Sequence, residues 1–348
     1  MSTTAHIGKL VIGGKHPIRI KGMLKTILTK RRHVCAEARA LVAQGAEAIR
    51  IAIKRPGEAR VAHWIRKEVT VPLVADIHFN YKLALEAIDS GFEGIRLNPL
   101  NITDVFHIKE VVQKAKRNDV AIRVGINSGG FKKSFSSEAS QANAMVSAVS
   151  DFIRILESKR FTNITVSLKA ATVRATIAAN RLFAKKSRYP LHLGVTATGP
   201  FLDAVVKSSI GIGVLLEEGI GSIIRVSLTA PSDLEIRVAK ILLQALHLRS
   251  FGPEIISCPT CSRCQVDLIR IVDTFNEEME KAVARGKKFP STIALMGCEV
   301  NGPGEARQAD IGVAFGNKRG IIFQKGEIVG QIAEKNCVQE FLKWMEAK

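Results

Sequence analysis

Eight short, β-branched apolar runs recur through residues 1–250, each followed by a longer stretch with helical spacing. The runs are PIRIKGM (17–23), AIRIAI (48–53), PLVADI (72–77), GIRLNP (94–99), AIRVGIN (121–127), NITVSLK (163–169), LHLGVT (191–196) and SIIRVSL (222–228). Segments between them, such as AEARALVAQGA (36–46), YKLALEAIDSG (81–91) and DLEIRVAKILLQAL (233–246), place apolar residues three and four apart, as amphipathic helices do. Strands alternating with helices require parallel pairing through helical crossovers, and eight such units match a (β/α)8 TIM-type barrel. An open doubly wound sheet is the competing solution, but it rarely runs to eight units this regular. No motif repeats at a fixed period, so the repetition is architectural.

Several of these strands carry polar residues toward their C-terminal ends, often two apart: Arg96/Asn98, Arg123/Asn127, Ser167/Lys169 and Arg225/Ser227, with Arg50 and the pair Asp76/His78 placed similarly. A period of two puts such pairs on one face of a strand. In a barrel that face is the interior, and the C-terminal end is where active sites lie. Buried, unpaired guanidinium groups are costly. Internal ion pairs with Asp76 or Glu93 are the bland alternative. Four arginines plus Lys169 outnumber the acids on the same strands, which points to an anion site, with phosphate or diphosphate as the natural guest for Arg forks.

Overall charge agrees: 51 Lys+Arg against 32 Asp+Glu give a net +19. Such a surface attracts polyanions, acidic proteins and phosphorylated small molecules. Nucleic acid is not the expected partner, because aromatics make up only 5% of the chain and the densest basic cluster, LKTILTKRRH (24–33), is short. No apolar run is long enough for a membrane span, and the N-terminus lacks a secretory h-region, so a cytoplasmic enzyme is expected.

From residue 251 the character changes. Cysteines and glycines cluster, and a second α/β pattern runs through STIALMGCEV, ADIGVAFG and RGIIFQKGEIV to a terminal helix, so 251–348 reads as a separate small domain. Six cysteines are too few for a disulfide scaffold, and three of them, Cys258, Cys261 and Cys264, fall in one seven-residue window with C-x2-C-x2-C spacing. Zinc ribbons need a second C-x2-C or a His pair, and the downstream half has neither; an iron–sulfur cluster tolerates dispersed thiolates and fits better. Cys298, in MGCEVNGPGE, is the matching downstream thiol. The fourth ligand stays open between Cys264 and Glu305, the latter a harder and more labile donor for iron. Cys35 and Cys337 read as ordinary buried cysteines. A radical enzyme using S-adenosylmethionine also joins barrel and cluster, but typically carries C-x3-C-x2-C near the start of its barrel.

CPTCSR, GCEVNGPGEA, ADIG and GNK resemble the C-terminal domain of the 4-hydroxy-3-methylbut-2-enyl diphosphate synthase family, and VPLVADIHF, LHLGVT, VKSSIGIGVLLEEGIG and IRVSL resemble its barrel. The resemblance runs from about residue 7 to 340. It implies a (β/α)8 barrel fused to a small α/β domain of ferredoxin/sulfite-reductase type carrying one 4Fe-4S cluster. It also implies reductive opening of 2-C-methyl-D-erythritol 2,4-cyclodiphosphate, with electrons from ferredoxin or flavodoxin, by a homodimer in which one subunit's cluster domain caps the other's barrel. Residue by residue, it puts the cluster ligands at Cys258, Cys261, Cys298 and Glu305, with Glu305 also catalytic. Arg50, Arg123, Lys169, Arg225 and Ser227 become the diphosphate anchors, Arg96, Asn98 and Asn127 line the substrate, and Cys264 becomes a bystander.

The chain departs from the family pattern at the barrel mouth. The family's GVTEAG reads GVTATGP here, with Ala197 in place of a glutamate that is the family's candidate for proton transfer. Lys25 and Lys30 stand where the family usually has Asn and Asp, and Leu100 replaces a glycine. Two expectations follow: an active enzyme with a rearranged mouth, or a divergent iron–sulfur relative with an electron-transfer or anion-sensing role.

Overall fold

A computed structural model describes residues 2–132, 134–298, 309–316 and 318–346. The chain divides into two compact units, Met1–Arg249 and Ser250–Lys348.

The first unit opens with an antiparallel hairpin, β1 (Thr4–Ile7) and β2 (Leu10–Gly13). The eight predicted strands follow as β3 (Arg19–Met23), β4 (Ala48–Ala52), β5 (Leu73–Asp76), β6 (Gly94–Leu97), β7 (Ala121–Asn127), β8 (Ile164–Lys169), β9 (His192–Leu193) and β10 (Ile223–Ile224). They form one parallel sheet in the order β8-β7-β6-β5-β4-β3-β10-β9. A parallel bridge between Val166 and Leu191 joins β8 to β9 and closes the circle. The helices between them are α1 (Arg31–Ala43), α2 (Val61–Ile65), α3 (Tyr81–Asp89), α4 (Val105–Arg117), α5 (Glu138–Ser158), α6 (Val173–Lys186), α7 (Phe201–Glu217) and α8 (Ser232–Ala245).

Local chemistry starts several of these helices after their strands. Asn80, Asp104, Ser137 and Thr172 each accept a hydrogen bond from a backbone N–H in the first turn of α3, α4, α5 and α6. Outward-facing strand residues are aliphatic and buried: Ile49 and Ile51, Leu73 and Ala75, Ile95 and Leu97, Ile122 and Val124, Val166 and Leu168. The hairpin was not anticipated. Its Ile7 and Ile12 form one apolar cluster with Val74, Ala121 and Ile223, so apolar packing fills the N-terminal end of the barrel and the polar interior lies toward the other end.

The second unit is a five-stranded sheet, β11 (Glu254–Ser257), β12 (Thr292–Met296), β13 (Ile311–Gly316), β14 (Arg319–Gln324) and β15 (Glu327–Ala333), paired in sequence order. Its first three strands are parallel and the rest antiparallel. RGIIFQKGEIV is thus two strands turning at Lys325 and Gly326, both at positive φ. Among the described residues its helices are α9 (Leu268–Ala284), which the sequence reading did not mark, and α10 (Cys337–Glu346). Phe275, Met279, Ile293, Val313 and Phe341 form its core.

Candidate active site

Strand registers fix which inward side chains share a level. Advancing about one residue per strand, the shear of an eight-stranded barrel, the paired positions stack in layers drawn from alternate strands. Above a level of Ala48, Gly94, Thr165 and Ile223, the lowest layer of the charged interior holds Lys21, Val74, Arg123 and His192. Above it lie Arg50, Arg96, Ser167 and Arg225, then Met23, Asp76, Gly125 and Gly194, and then Ala52, Asn98, Lys169 and Ser227 at the C-terminal end. Barrels normally fill these positions with branched apolar residues. Here six cations, Lys21, Arg50, Arg96, Arg123, Lys169 and Arg225, occupy them together with Asp76, while Glu235 reaches the same region from α8.

Contacts agree with this stacking. Arg123 Nη1 lies 2.6 Å from His192 Nδ1 in the lowest charged layer. Arg50 donates from Nε to Met23 Sδ at 2.9 Å, and Arg96 from Nη2 to the Gly125 carbonyl at 2.7 Å. The two glycines make room: a Cβ on Gly125 would sit 2.7 Å from Arg96 Nε, and one on Gly194 2.5 Å from Lys169 Nζ.

Asp76 supplies part of the internal pairing weighed from sequence. Its carboxylate lies 3.6 Å from both Arg50 Nη2 and Arg96 Nη1, 4.0 Å from Arg123 Nη2 and 3.4 Å from His78 Nε2. Glu93 pairs instead with Arg66. Glu235, buried, holds Arg225 at 3.0 Å and Lys25 at 2.9 Å. Lys25 also donates to the carbonyls of Leu228 and Ala230, so this departure ties the end of β3 to the loop after β10.

The arithmetic of charge remains positive. Burial opposes ionisation of Asp76, but Arg50, His78, Arg96 and Arg123 outweigh it and hold the carboxyl far below the usual carboxylate range. Burial, with like charge from neighbouring cations, pushes Lys21, Arg123 and Lys169 well below their ordinary values. Burial lowers Arg225 to about 10 even with Glu235 beside it. Arg123 Nε, Arg225 Nε, Arg96 Nη1 and His192 Nε2 are buried without a hydrogen-bond partner, and outnumber the unpartnered acceptors Asp76 Oδ1 and Glu235 Oε2. Buried donors without acceptors, in excess positive charge, are what an anion would satisfy.

Of the residues singled out from sequence, Arg50, Arg96, Arg123, Lys169, Arg225 and Ser227 come together here. Ser227 Oγ accepts from Arg225 Nη1 at 2.5 Å. Asn98 is buried but spends its Oδ1 on the Leu100 N–H. Asn127 is the register partner of Lys169 at the rim. Lys21, His192 and Glu235 were missed. The signal for the first two was present: Lys21 stands two before Met23, and His192 two before Gly194, on inward strand faces. Ala197 is exposed and left-handed, with φ 53°.

In the second unit, Cys258 directly follows β11, and Cys298 lies two residues past β12, its parallel neighbour. The Gly297 N–H donates to Cys258 Sγ at 3.3 Å. Thr260, at φ 66°, turns the segment between Cys258 and the exposed Cys261. Cys264 donates from Sγ to the Val266 carbonyl at 3.3 Å and packs where a Cβ on Gly297 would meet it at 2.4 Å. Cys35 and Cys337 are buried. Glu305 lies outside the described residues. Among the described residues, no three His, Cys, Asp or Glu side chains gather as a single-ion site. Soft thiolates at the ends of adjacent strands suit a wider, multinuclear iron–sulfur group.

The family described as GcpE TIM-barrel domain matches residues 2–240, and that described as GcpE protein C-terminal domain matches 254–347. A protein of Thermodesulfovibrio yellowstonii named 4-hydroxy-3-methylbut-2-en-1-yl diphosphate synthase (flavodoxin) is 43% identical over 340 residues, 97% of this chain and 96% of its own. A Geobacter sulfurreducens protein of the same name is 40% identical over 342 residues, 98% of this chain and 96% of its own. Among solved structures, dihydropteroate synthase from Stenotrophomonas maltophilia overlays with a TM-score of 0.54 at 14% identity, covering 72% of this chain and 100% of that one. That likeness concerns the barrel fold alone.

Proposed function

The chain belongs to the GcpE family, and from that premise we propose that it opens 2-C-methyl-D-erythritol 2,4-cyclodiphosphate reductively to 4-hydroxy-3-methylbut-2-enyl diphosphate. Counted on the neutral acids, two electrons and two protons enter and one water leaves. The observation that carries the reading is the excess of buried cations over Asp76 and Glu235 at the C-terminal end of the barrel. Arg50, Arg123, Lys169, Arg225 and Ser227 would bind the diphosphate, and Arg96, Asn98 and Asn127 would line the remainder of the substrate.

Cys258, Cys261, Cys298 and Glu305 would hold one 4Fe-4S cluster, which when bound supplies single-electron transfer at low potential. The Gly297 N–H, already directed at Cys258 Sγ, would stabilise that sulfur as a thiolate. Cys264 spends its Sγ on the Val266 carbonyl and would stay outside the ligand set. In the barrel, the guanidinium groups would bind and orient the anion.

The donor would be flavodoxin, the partner named for the relatives, and the +19 charge suits an acidic one. A homodimer acting in the cytoplasm completes the reading; among the described residues no helix is long and apolar enough to cross a membrane. Apart from Ala197 and the altered mouth, nothing favours a redirected relative. Anaerobic reconstitution followed by assay on the cyclodiphosphate with reduced flavodoxin tests the proposal. The expected result is a brown protein that turns over. A colourless protein binding zinc stoichiometrically, with no turnover, would overturn it.

A further inference from the structure

Each cation in the barrel interior can be asked what balances it. Arg50, Arg96 and Arg123 share Asp76, and Arg225 has Glu235. Lys25, nearer the rim, has Glu235 and two carbonyls. Two ammonium groups remain. Among the described residues, neither Lys169 nor Lys21 has an ion pair or a hydrogen bond from Nζ. Lys169 is already among the diphosphate anchors. Lys21 shares its situation and is more deeply enclosed, at 2% exposure.

Its place in the barrel sharpens the point. Lys21 lies on the inward face of β3, in the same layer as Arg123 and His192. Beneath that layer the inward positions are Ala48, Gly94, Thr165 and Ile223, packed with Ile7 and Ile12; among the described residues the one side-chain acceptor at that level is the neutral Thr165 hydroxyl, which balances no charge. The side chain can satisfy its charge only toward the layers above, where Arg50 and Arg225 stand. A lysine at such a position disfavours the empty barrel and gains only when an anion enters. Burial and the charges of Arg123, Arg50 and Lys169 oppose its ionisation while the site is empty, and outweigh the Asp76 carboxylate that favours it. A purely structural residue there would more readily be apolar, as Val74 is in the same layer.

We propose that Lys21 is a substrate-binding residue, forming the floor of the phosphate pocket and contacting the bound diphosphate through Nζ. The assignment rests on the proposed function only in requiring that the barrel take a diphosphate. It puts a second contact in the layer of Arg123, the deepest of the anchors read from sequence, below Arg50 and Arg225. A diphosphate would thus be gripped from beneath by Lys21 and from the rim by Lys169.

The test uses the full chain, reconstituted anaerobically, with inorganic pyrophosphate as probe. Lys21→Met keeps length and volume and removes the charge; Lys67→Met, on an exposed lysine, removes one charge elsewhere. Calorimetry should show pyrophosphate binding weakened roughly 10- to 100-fold in K21M, the range of a charge-assisted hydrogen bond, and unchanged in K67M. The melting temperature of K21M without ligand should equal or exceed that of the parent, since a buried amine without an ion pair has gone. A loss of affinity under about threefold relative to K67M would overturn the assignment. So would failure of both K21M and Lys21→Gln to fold, which would make the ammonium structural. Parent protein that binds pyrophosphate but does not turn over the cyclodiphosphate would sink the proposed reaction and leave Lys21 assigned. Parent protein that does not bind pyrophosphate would sink both.

Discussion

Arg123 and His192 meet across 2.6 Å inside the barrel, Nη1 to Nδ1. A guanidinium only donates, so His192 accepts at Nδ1 and carries its proton on Nε2, which is buried without a partner. Burial, with Lys169, Arg123 and Lys21 close by, holds the imidazole well below its ordinary value and therefore neutral. His192 thus positions Arg123 instead of competing with it for an anion.

His192→Ala should raise KM for the cyclodiphosphate about 10-fold, the worth of a hydrogen bond to a charged group, and lower kcat less. Asn at this position offers an acceptor near where Nδ1 stood. His192→Asn should recover most of the loss, while a steric role for the ring would leave both variants equally impaired. Steady-state kinetics on the three proteins separates these outcomes.

Room for the guanidinium groups comes from glycine. A Cβ on Gly125 would meet Arg96 Nε and Ser167 Oγ, both at 2.7 Å. These are movable side-chain ends, so Gly125→Ala should fold and displace Arg96. The expected result is KM raised about 10-fold or more with iron content unchanged. An unaltered KM would remove Arg96 from the substrate site.

Stability should depend on pH through Lys21 and Lys169. Both are protonated in the unfolded chain up to their ordinary value of 10.5 and resist protonation in the empty fold. The unfolded state therefore binds more protons below 10.5, so stability rises with pH toward that value and is lost as pH falls from it. A bound diphosphate restores the charged forms. Melting temperature between neutral pH and pH ~9.5 should climb without ligand and climb less with saturating pyrophosphate. Parallel curves in the two conditions would count against an anion site at these lysines.

Much of this was legible because the inward and outward faces of a strand alternate. Arg96, Arg123, Lys169 and Arg225 stand out as charged letters in apolar runs, and the eight runs locate the barrel. Lys21 and His192 obey the same alternation but look like single oddities, since only the register shows that they share a layer with Arg123. The last two strands were read at six and seven residues and shrink to the pairs His192–Leu193 and Ile223–Ile224. Gly194, where a Cβ would crowd the Arg225 carbonyl at 2.6 Å, follows the first of these directly. The β1–β2 hairpin escaped notice because an apolar plug carries no chemical motif.

Ala197 already adopts a left-handed backbone, φ 53°, so a longer side chain there adds little further backbone cost. A general acid contributes about 10²- to 10⁴-fold. If the native enzyme completes water loss without this group, Ala197→Glu should change kcat by less than about 10-fold. A rise of about 100-fold or more would mark the native protein as an impaired relative and revive the redirected reading.

The three-cysteine window makes the last prediction. Cys264 is held by the Val266 carbonyl and by packing against Gly297 and the core around Leu268, whereas Cys258 and Cys298 end adjacent strands. Replacing Cys258, Cys261 or Cys298 with serine should abolish the visible absorbance and iron content of the reconstituted protein. Cys264→Ala should keep both and cost about 1 kcal/mol of stability, a typical loss for a small half-buried side chain. The charge-transfer band and iron-to-protein ratio of the four variants decide the matter: loss of iron in Cys264→Ala, with Cys298→Ser retaining it, would reassign the site to the C-x2-C-x2-C run alone.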